Sequence, residues 1–371
     1  MSSIKKIHLL GSSAKWDSCG MSKNADHSIP GICRVKYGEE TCSLMKVLMS
    51  NRCIYNCKYC INRKKRNTLR DSFEPEELAR IFMHYYERNW VEGLFLSSAV
   101  EKDPDFIMEK MIMTAKILRE KYGYGGYLHL KVIPGASYYF VKEACKLATR
   151  TSINIETSKQ RLNEISDKDF KYDIIRRFSW MKKLYLRGHV PAGYTTQFIV
   201  GAAGESDKEI VETLEILYKN FGIKKAYFSA FCPIKGTPLE NKKSESPVRE
   251  YRLYQVDYLM RKYNFSIKDI PFNEEGFLDL NFDPKYKYAV QNIGCVDINK
   301  AEKEELLKVP GIGPVSAERI IRLRRCGVIF KEMKDLQKLG ISLKKALPFI
   351  KINDSQKRIF DYGGVENVCC A

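Results

Sequence analysis

The sequence predicts an α/β protein, a parallel sheet wrapped by helices, followed by a small all-α domain. Two patterns carry that prediction. Between residues 44 and 265, short apolar runs of β type alternate with helical periodicity, as the strand–helix units of a parallel sheet do. Near Asp297 a separate helical unit begins, built around a glycine-rich turn. At 371 residues the chain has length for two domains, or for one barrel with an appendage.

Strands are expected at 46–49, 93–97, 127–133, 152–155, 195–200 and 226–230. Helices are expected between them at 75–89, 105–121, 138–148, 161–165 and 208–220. In the first helix Phe82, Tyr86 and Trp90 recur at i, i+4, i+8, which predicts a stripe facing the core. A cysteine-bearing segment, 1–43, precedes these units. Residues 266–294, with Pro271, Pro284 and several aromatics, read as a linker or strapped extension; 295–352 form the helical unit and 353–371 a tail.

The loop after the first strand reads Cys53-Ile54-Tyr55-Asn56-Cys57-Lys58-Tyr59-Cys60. Three cysteines at CxxxCxxC spacing can hold three corners of a [4Fe–4S] cubane, because soft thiolates suit such clusters. Full protein ligation needs four, so a triplet leaves one iron open to a substrate or cofactor. Three buried thiols, or three ligands of a zinc site completed elsewhere, are the competing readings. Upstream, Cys19, Cys33 and Cys42, with His27 between the first two, are loosely spaced. They are a second metal site (cluster or zinc) or three unrelated thiols. Cys145, Cys232, Cys295 and Cys326 share no ligand spacing, and the adjacent Cys369 and Cys370 are assigned no role. The run Arg63-Lys64-Lys65-Arg66, with Arg70 nearby, is either a solvated basic loop or a set of phosphate contacts close to the reaction site.

Lysine and arginine outnumber the acids 63 to 45, a net charge of +18, which points to a polyanionic partner. A membrane surface would suit the charge, but no basic amphipathic segment or lipidation signal accompanies it. No apolar stretch approaches the roughly 20 residues of a spanning helix. The apolar run in Met-Ser-Ser-Ile-Lys-Lys-Ile-His-Leu-Leu is too short for a secretory signal. A cytoplasmic location is therefore expected, where twelve cysteines serve as ligands or buried thiols in place of disulfides. Nucleic acid is the expected partner.

The cysteine loop, with Tyr59 before its last cysteine, resembles that of the radical S-adenosylmethionine (SAM) enzymes, and the resemblance extends over 44–265. It implies a partial (β/α)6 TIM-like barrel, with chemistry on loops at the C-terminal strand ends. It implies a [4Fe–4S] cluster on Cys53, Cys57 and Cys60, with SAM chelating the open iron. An electron from a donor such as a flavodoxin or ferredoxin then cleaves SAM to methionine and a 5′-deoxyadenosyl radical, chemistry that belongs to the cofactor. Tyr59 matches an aromatic placed near the adenine, or simply packs. The stretch Gly93-Leu94-Phe95-Leu96-Ser97-Ser98-Ala99 stands where the family has Gly-Gly-Glu against the SAM amino group. Here two serines replace the glycines and no glutamate follows directly, which leaves the backbone carbonyls of Ser97 or Ser98 for that contact. Glu156, ending its strand, is placed to grip ribose hydroxyls or an ammonium, or is a solvated acid. Gln197 and the turn Gly201-Ala-Ala-Gly204-Glu205 resemble the segment that runs along the adenosine. Cys232-Pro233-Ile234 and Gly236-Thr237-Pro238 close the pocket or form an ordinary rigid turn. No catalytic proton or hydrogen donor is singled out.

In the helical unit, a helix over 301–308 with Asn299 as N-cap leads into Val309-Pro310-Gly311-Ile312-Gly313-Pro314 and a helix over 315–325. The glycines permit the tight turn and let a phosphate approach the N–H groups that open the second helix. Leu306, Leu307, Ile312, Ala317, Ile320 and Ile321 supply the core. The unit resembles a paired helix-hairpin-helix DNA-binding module, as in competence DNA receptors and repair proteins. Its second copy is Leu336-Gln-Lys-Leu-Gly340-Ile341-Ser342-Leu343-Lys-Lys-Ala346, with one glycine. Lys308, Gly311, Ile312 and Gly313 are the expected phosphate contacts. Residues 285–358 hold 17 basic and 8 acidic side chains, half of the chain's excess charge. A plain helical hairpin for protein contacts is the competing reading. With Asn51-Arg52-Cys53, Glu92-Gly93-Leu94-Phe95-Leu96-Ser97-Ser98 and the glycine hairpin, the chain resembles a bacterial family named for DNA modification or repair by radical SAM chemistry. The expectation is a SAM-cleaving enzyme acting on DNA, working with a further DNA-processing enzyme. The alternatives are an RNA or tRNA modifier of the same fold and a non-catalytic iron–sulfur redox sensor that binds DNA.

Overall fold

A computed structural model describes residues 2–16, 31–37 and 40–352, and the chain divides into two compact units between Glu250 and Tyr251. The first unit opens on two elements that the sequence patterns did not predict, helix α1 (Ser3–Ala14) and strand β1 (Ile32–Tyr37). Helix α1 buries Ile7, Leu10 and Ala14, a stripe at helical spacing. Its Ser3 and Lys6 side chains donate to Glu77 at 3.2 and 2.7 Å.

Strand β2 (Glu40–Leu48) pairs antiparallel with β1 and parallel with β3 (Gly93–Ser97). Strands β4 (Tyr127–Lys131), β5 (Arg150–Ser152), β6 (Tyr194–Val200) and β7 (Lys225–Ala230) follow in sequence order, each parallel to the one before. Helices α2 (Pro75–Glu87), α3 (Pro104–Lys116), α4 (Tyr138–Leu147), α5 (Leu162–Ile165), α6 (Arg176–Leu186) and α7 (Asp207–Ile216) occupy the crossovers. Repeated right-handed crossovers in one direction curl six parallel strands into a half-barrel, the expected fold. Local chemistry starts the helices: Asp103 accepts from Phe106 N at 2.8 Å ahead of Pro104, and Ser206 and Glu209 form a reciprocal capping box.

Two expectations need adjustment here. The fourth strand lies at Arg150–Ser152; beyond it the Thr196 hydroxyl of β6 donates to Ile153 O and accepts from Ile155 N, and strand pairing resumes at the bridge Glu156↔Phe198. Of the predicted aromatic stripe, Phe82 is fully buried, but Tyr86 and Trp90 are 39% and 38% exposed and only border the core. They edge-stack on Tyr124 and Tyr85 near the surface.

Helix α8 (Pro247–Lys262) spans the point of division. In the second unit, α9 (Pro284–Asn292), α10 (Lys303–Lys308), α11 (Pro314–Arg325), α12 (Met333–Gln337) and α13 (Leu343–Ala346) surround one apolar core, closed by the short parallel pair β8 (Val296–Asp297) and β9 (Ile350–Lys351). Leu306, Ile312, Ala317, Ile320, Leu336 and Phe349 are buried in it, while Ile321 only packs against it. Asn299 does not cap α10; Glu302 does, in a box with Glu305. The Asn299 amide instead donates to the Phe330 and Ile352 carbonyls at 2.9 and 3.0 Å and accepts from Phe330 N. That ties the two ends of the double hairpin together. Ala289 of α9 belongs to the same core, so part of 266–294 is built into this unit. Among the described residues no helix is long and apolar enough to cross a membrane.

Candidate active site

The loop between β2 and α2 is held at both ends before it reaches its cysteines. Asn51 donates to Leu69 O at 2.9 Å and accepts from Asp71 N at 2.8 Å. The Arg70 guanidinium donates to four carbonyls, those of Asn51, Asn62, Arg63 and Arg66. A planar fork with five donors suits that task. It gathers the loop into a coil at the C-terminal end of the first parallel strand.

Cys53, Cys57 and Cys60 all line one cavity of about 160 Å³, roughly ten times the space that one water needs. Among the described residues no three His, Cys, Asp or Glu side chains converge on a single-ion site. Three thiols around a shared chamber instead suit a cubane, which gives each thiolate its own iron. Asn62 N points at Cys60 Sγ from 3.4 Å, a donor of the kind that supports cluster sulfurs. Burial, then the neighbouring Cys57, pushes the Cys60 thiol up to about 12, and burial raises Cys53 as well. Both shifts favour the protonated thiol at Cys53 and Cys60, so loading a cluster there releases protons. Soft donors, a ligand-sized chamber and two buried polar atoms without partners, Ser97 Oγ and Trp16 Nε1, together fit a cluster with an organic cofactor beside it.

The polar wall of the chamber comes from successive strand ends. Glu156 has a positive φ of 68°, an unusual backbone for a non-glycine residue. Its carboxylate pairs with Lys168 at 2.9 Å, and the two side chains are only 6% and 10% exposed. Burial alone would lower Lys168, but Glu156 and Cys57 outweigh it and hold the ammonium firmly protonated. Tyr59 is raised well above the usual phenol range, by burial first and by the Glu156 carboxylate second. Glu156 is thus no solvated acid. Ser97 and Ser98 divide: the Ser98 hydroxyl is taken up by Ser50 N and O at 3.1 and 3.2 Å, whereas Ser97 Oγ is buried without a partner. Gln197 lines the chamber and donates to Trp16 O at 2.9 Å. The Gly201–Gly204 turn closes instead on the Glu205 carboxylate, which accepts from Gly201 N and Ala203 N. Cys232 and Ile234 complete the wall. The sequence patterns gave no sign of Lys168, Asn154, Lys131 or Trp16, which reach the chamber from separate elements; strand-end position was the available signal for Asn154.

The basic run after the cysteines splits in two. Arg63 donates to Asn56 O and Arg66 to Lys235 O and Ile61 O, while Lys64 and Lys65 are exposed. Of the upstream cysteines, Cys19 lies outside the described residues, as does His27. Cys42 stands opposite Val35 and Cys33 opposite Leu44, so the two sulfurs share one face of the β1–β2 pair, one diagonal step apart. Burial and Glu92 push Cys42 up to about 11.

In the second unit the two hairpin glycines have different surroundings. Gly311 has φ +81°, and a Cβ there would lie 2.4 Å from Ser342 O; Ser342 N donates to Gly311 O at 3.0 Å. Its bare Cα faces the second hairpin, so no phosphate approaches on that side. Gly313 opens α11 and meets only Tyr263 Oη, at 3.5 Å. Ile312 is 1% exposed, and its carbonyl accepts from the buried Lys285 Nζ at 2.7 Å. Lys308 pairs with Asp269 at 2.5 Å over the Phe265 and Tyr288 rings, which leaves it a poor candidate for a phosphate contact.

Comparison with known proteins gives two sequence matches. Residues 47–217 match the Radical SAM superfamily and residues 291–345 match the helix-hairpin-helix motif. No curated protein matches the chain in a sequence search. Similar solved structures include methylornithine synthase PylB (16% identity, TM-score 0.47, covering 58% of this chain and 60% of that one). They also include HydG, a maturase of the [FeFe]-hydrogenase (15%, 0.46, covering 57% and 48%). A third is Streptococcus suis SuiB bound to S-adenosylmethionine (14%, 0.44, covering 58% and 47%). The chain spans about half to three-fifths of the length of these proteins.

Proposed function

We propose that this chain, whose residues 47–217 form a radical SAM superfamily domain and whose residues 291–345 carry a helix-hairpin-helix motif, is an enzyme that directs radical chemistry at DNA. A radical SAM domain uses a [4Fe–4S] cluster and S-adenosylmethionine, and here Cys53, Cys57 and Cys60 would hold the cluster. When bound, the pair supplies a 5′-deoxyadenosyl radical that abstracts hydrogen from substrate. The residues around the chamber would orient SAM. Lys168 offers a cation to its carboxylate, Glu156 and Asn154 offer acceptors to its ribose hydroxyls, and Ser97 offers its partnerless hydroxyl oxygen to its amino group. Tyr59 packs with Ile165, Ala202 and Phe231 and would bound the adenine side.

One observation carries the choice of substrate: the radical domain and a hairpin motif of a nucleic-acid-binding type occur in one chain of net charge +18. Hairpins of this type grip backbone phosphates, so binding with little base preference is expected. The exposed Lys64 and Lys65, on the cysteine loop, would add phosphate contacts near the chemistry. The test is 5′-deoxyadenosine formation by anaerobically reconstituted, reduced protein with and without duplex DNA. Formation stimulated by DNA supports the proposal. Formation indifferent to DNA moves RNA or another substrate forward, and none at full cluster and SAM occupancy favours a redox sensor.

A further inference from the structure

The segment Ile165–Lys168, which follows the short helix α5, lies along the cysteine loop. Lys58 N donates to Ile165 O at 2.8 Å, and Asn56 N donates to the Asp167 carboxylate at 2.6 Å. Ser166 Oγ stands 3.4 Å from Cys57 Sγ, both residues being buried. Lys168 shares the chamber with all three thiols, and its charge acts on Cys53 and Cys60 as well as on Glu156. A second segment of chain thus touches three consecutive residues of the cysteine loop, Asn56, Cys57 and Lys58.

The Ser166 hydroxyl is oriented. It accepts from Lys168 N at 3.3 Å, which leaves its own proton for the sulfur. A sulfur bound to iron carries no proton, so across the Ser166–Cys57 contact the hydroxyl must donate. Hydrogen bonds to the sulfurs, net charge and burial set the potential of an iron–sulfur cluster. Reduction adds one negative charge to a buried anionic centre. A hydroxyl donor and a buried ammonium both stabilise the reduced form more than the oxidised one, and a buried carboxylate does the opposite.

We propose that Ser166 and Lys168 are positioning residues that raise the reduction potential of the [4Fe–4S] cluster, with Glu156 as the opposing charge. The inference rests on Cys53, Cys57 and Cys60 being the cluster ligands. It is separate from a grip of Lys168 on the SAM carboxylate, because the potential is read without SAM.

The experiment reconstitutes the full chain anaerobically, counts iron and sulfide, and titrates the cluster with dithionite by electron paramagnetic resonance in the absence of SAM. Lys168→Met is expected to make reduction about tenfold harder, about 59 mV more negative for one electron. Ser166→Ala shifts the potential the same way by about threefold, Lys168→Arg holds it near wild type, and Glu156→Gln shifts it upward. A purely structural role would not produce opposite signs at Lys168 and Glu156. Equal potentials at equal iron content, or shifts of one sign in both charge variants, would overturn the proposal. Should Lys168→Met fail to hold its cluster, Ser166→Ala and Glu156→Gln carry the test. A wild-type protein that binds no four-iron cluster would refute the ligand assignment instead.

Discussion

Arg70 and Asn51 stand at opposite ends of the cysteine loop and close it on each other. The Arg70 guanidinium donates to the Asn51 carbonyl at 2.5 Å and to three further carbonyls inside the loop. A lysine has three donors on a point charge and cannot reproduce that fork. Arg70→Lys should therefore lower iron incorporation to less than half of wild type, whereas Lys64→Ala should leave it unchanged. Iron analysis and cluster absorbance after parallel reconstitution decide between them.

The buried pair Glu156–Lys168 should show strong coupling. Removing one partner strands the other charge, at a cost of about 3–5 kcal/mol, while removing both costs less than the sum. All three tryptophans, Trp16, Trp90 and Trp180, lie in the first unit, so their fluorescence in urea reports its unfolding. Glu156→Ala, Lys168→Met and the double variant complete the cycle. Additive losses would mean that the pair is not coupled.

Lys285 makes the second unit sensitive to pH. Burial lowers its ammonium to about 7 from an ordinary 10.5, with Asp283 opposing. The unfolded chain then binds more protons than the native one between about pH 7 and 10.5, so stability rises with pH across that window. The loss on lowering the pH is complete by about 7, below which both states hold the proton. The slope should reach about 1.4 kcal/mol per pH unit at most, and Lys285→Met should remove it. Hydrogen exchange over 296–350, measured from pH 7 to 10 and corrected for intrinsic rates, reads the difference.

The hairpin glycines should respond differently to alanine. At Gly311 the positive φ and the Ser342 carbonyl 2.4 Å from a new Cβ predict a loss of about 2 kcal/mol or more. At Gly313 neither obstacle exists, so Gly313→Ala should keep the exchange protection of α11. If its open side receives phosphate, duplex affinity falls without any loss of structure. Loss of protection in both variants would reassign Gly313 to packing.

Lys64 and Lys65 carry a quantitative prediction. If each meets one phosphate, replacing both by alanine should lower the salt slope of DNA binding by about 1.8. Arg66→Ala should instead disturb the cysteine loop, through its bonds to Ile61 and Lys235. Fluorescence anisotropy across a salt series, on cluster-loaded protein, separates the two effects.

The sequence by itself determined the class of fold and picked out the cysteine loop proposed to hold the cluster. Strand–helix periodicity is local, so five of the six parallel strands emerge near where their apolar runs lie. The CxxxCxxC spacing is local as well, and its three thiols line one chamber. Likewise the Pro-Gly-x-Gly turn announces its hairpin. Helix α1 and strand β1 stayed hidden because their short patterns gain meaning only from the sheet edge on which they pack.

Only the tertiary structure decided which polar groups meet. Lys168 reaches Glu156, and Ser166 reaches Cys57, across 109 positions of sequence in the second case. Lys308 and Arg66 read as free cations in the sequence, yet Asp269 and two backbone carbonyls take them up in the fold. Side-chain type states what a residue can do. Its partners are set by the strand order and loop closure that bring distant segments together, and a one-dimensional spacing does not encode those distances.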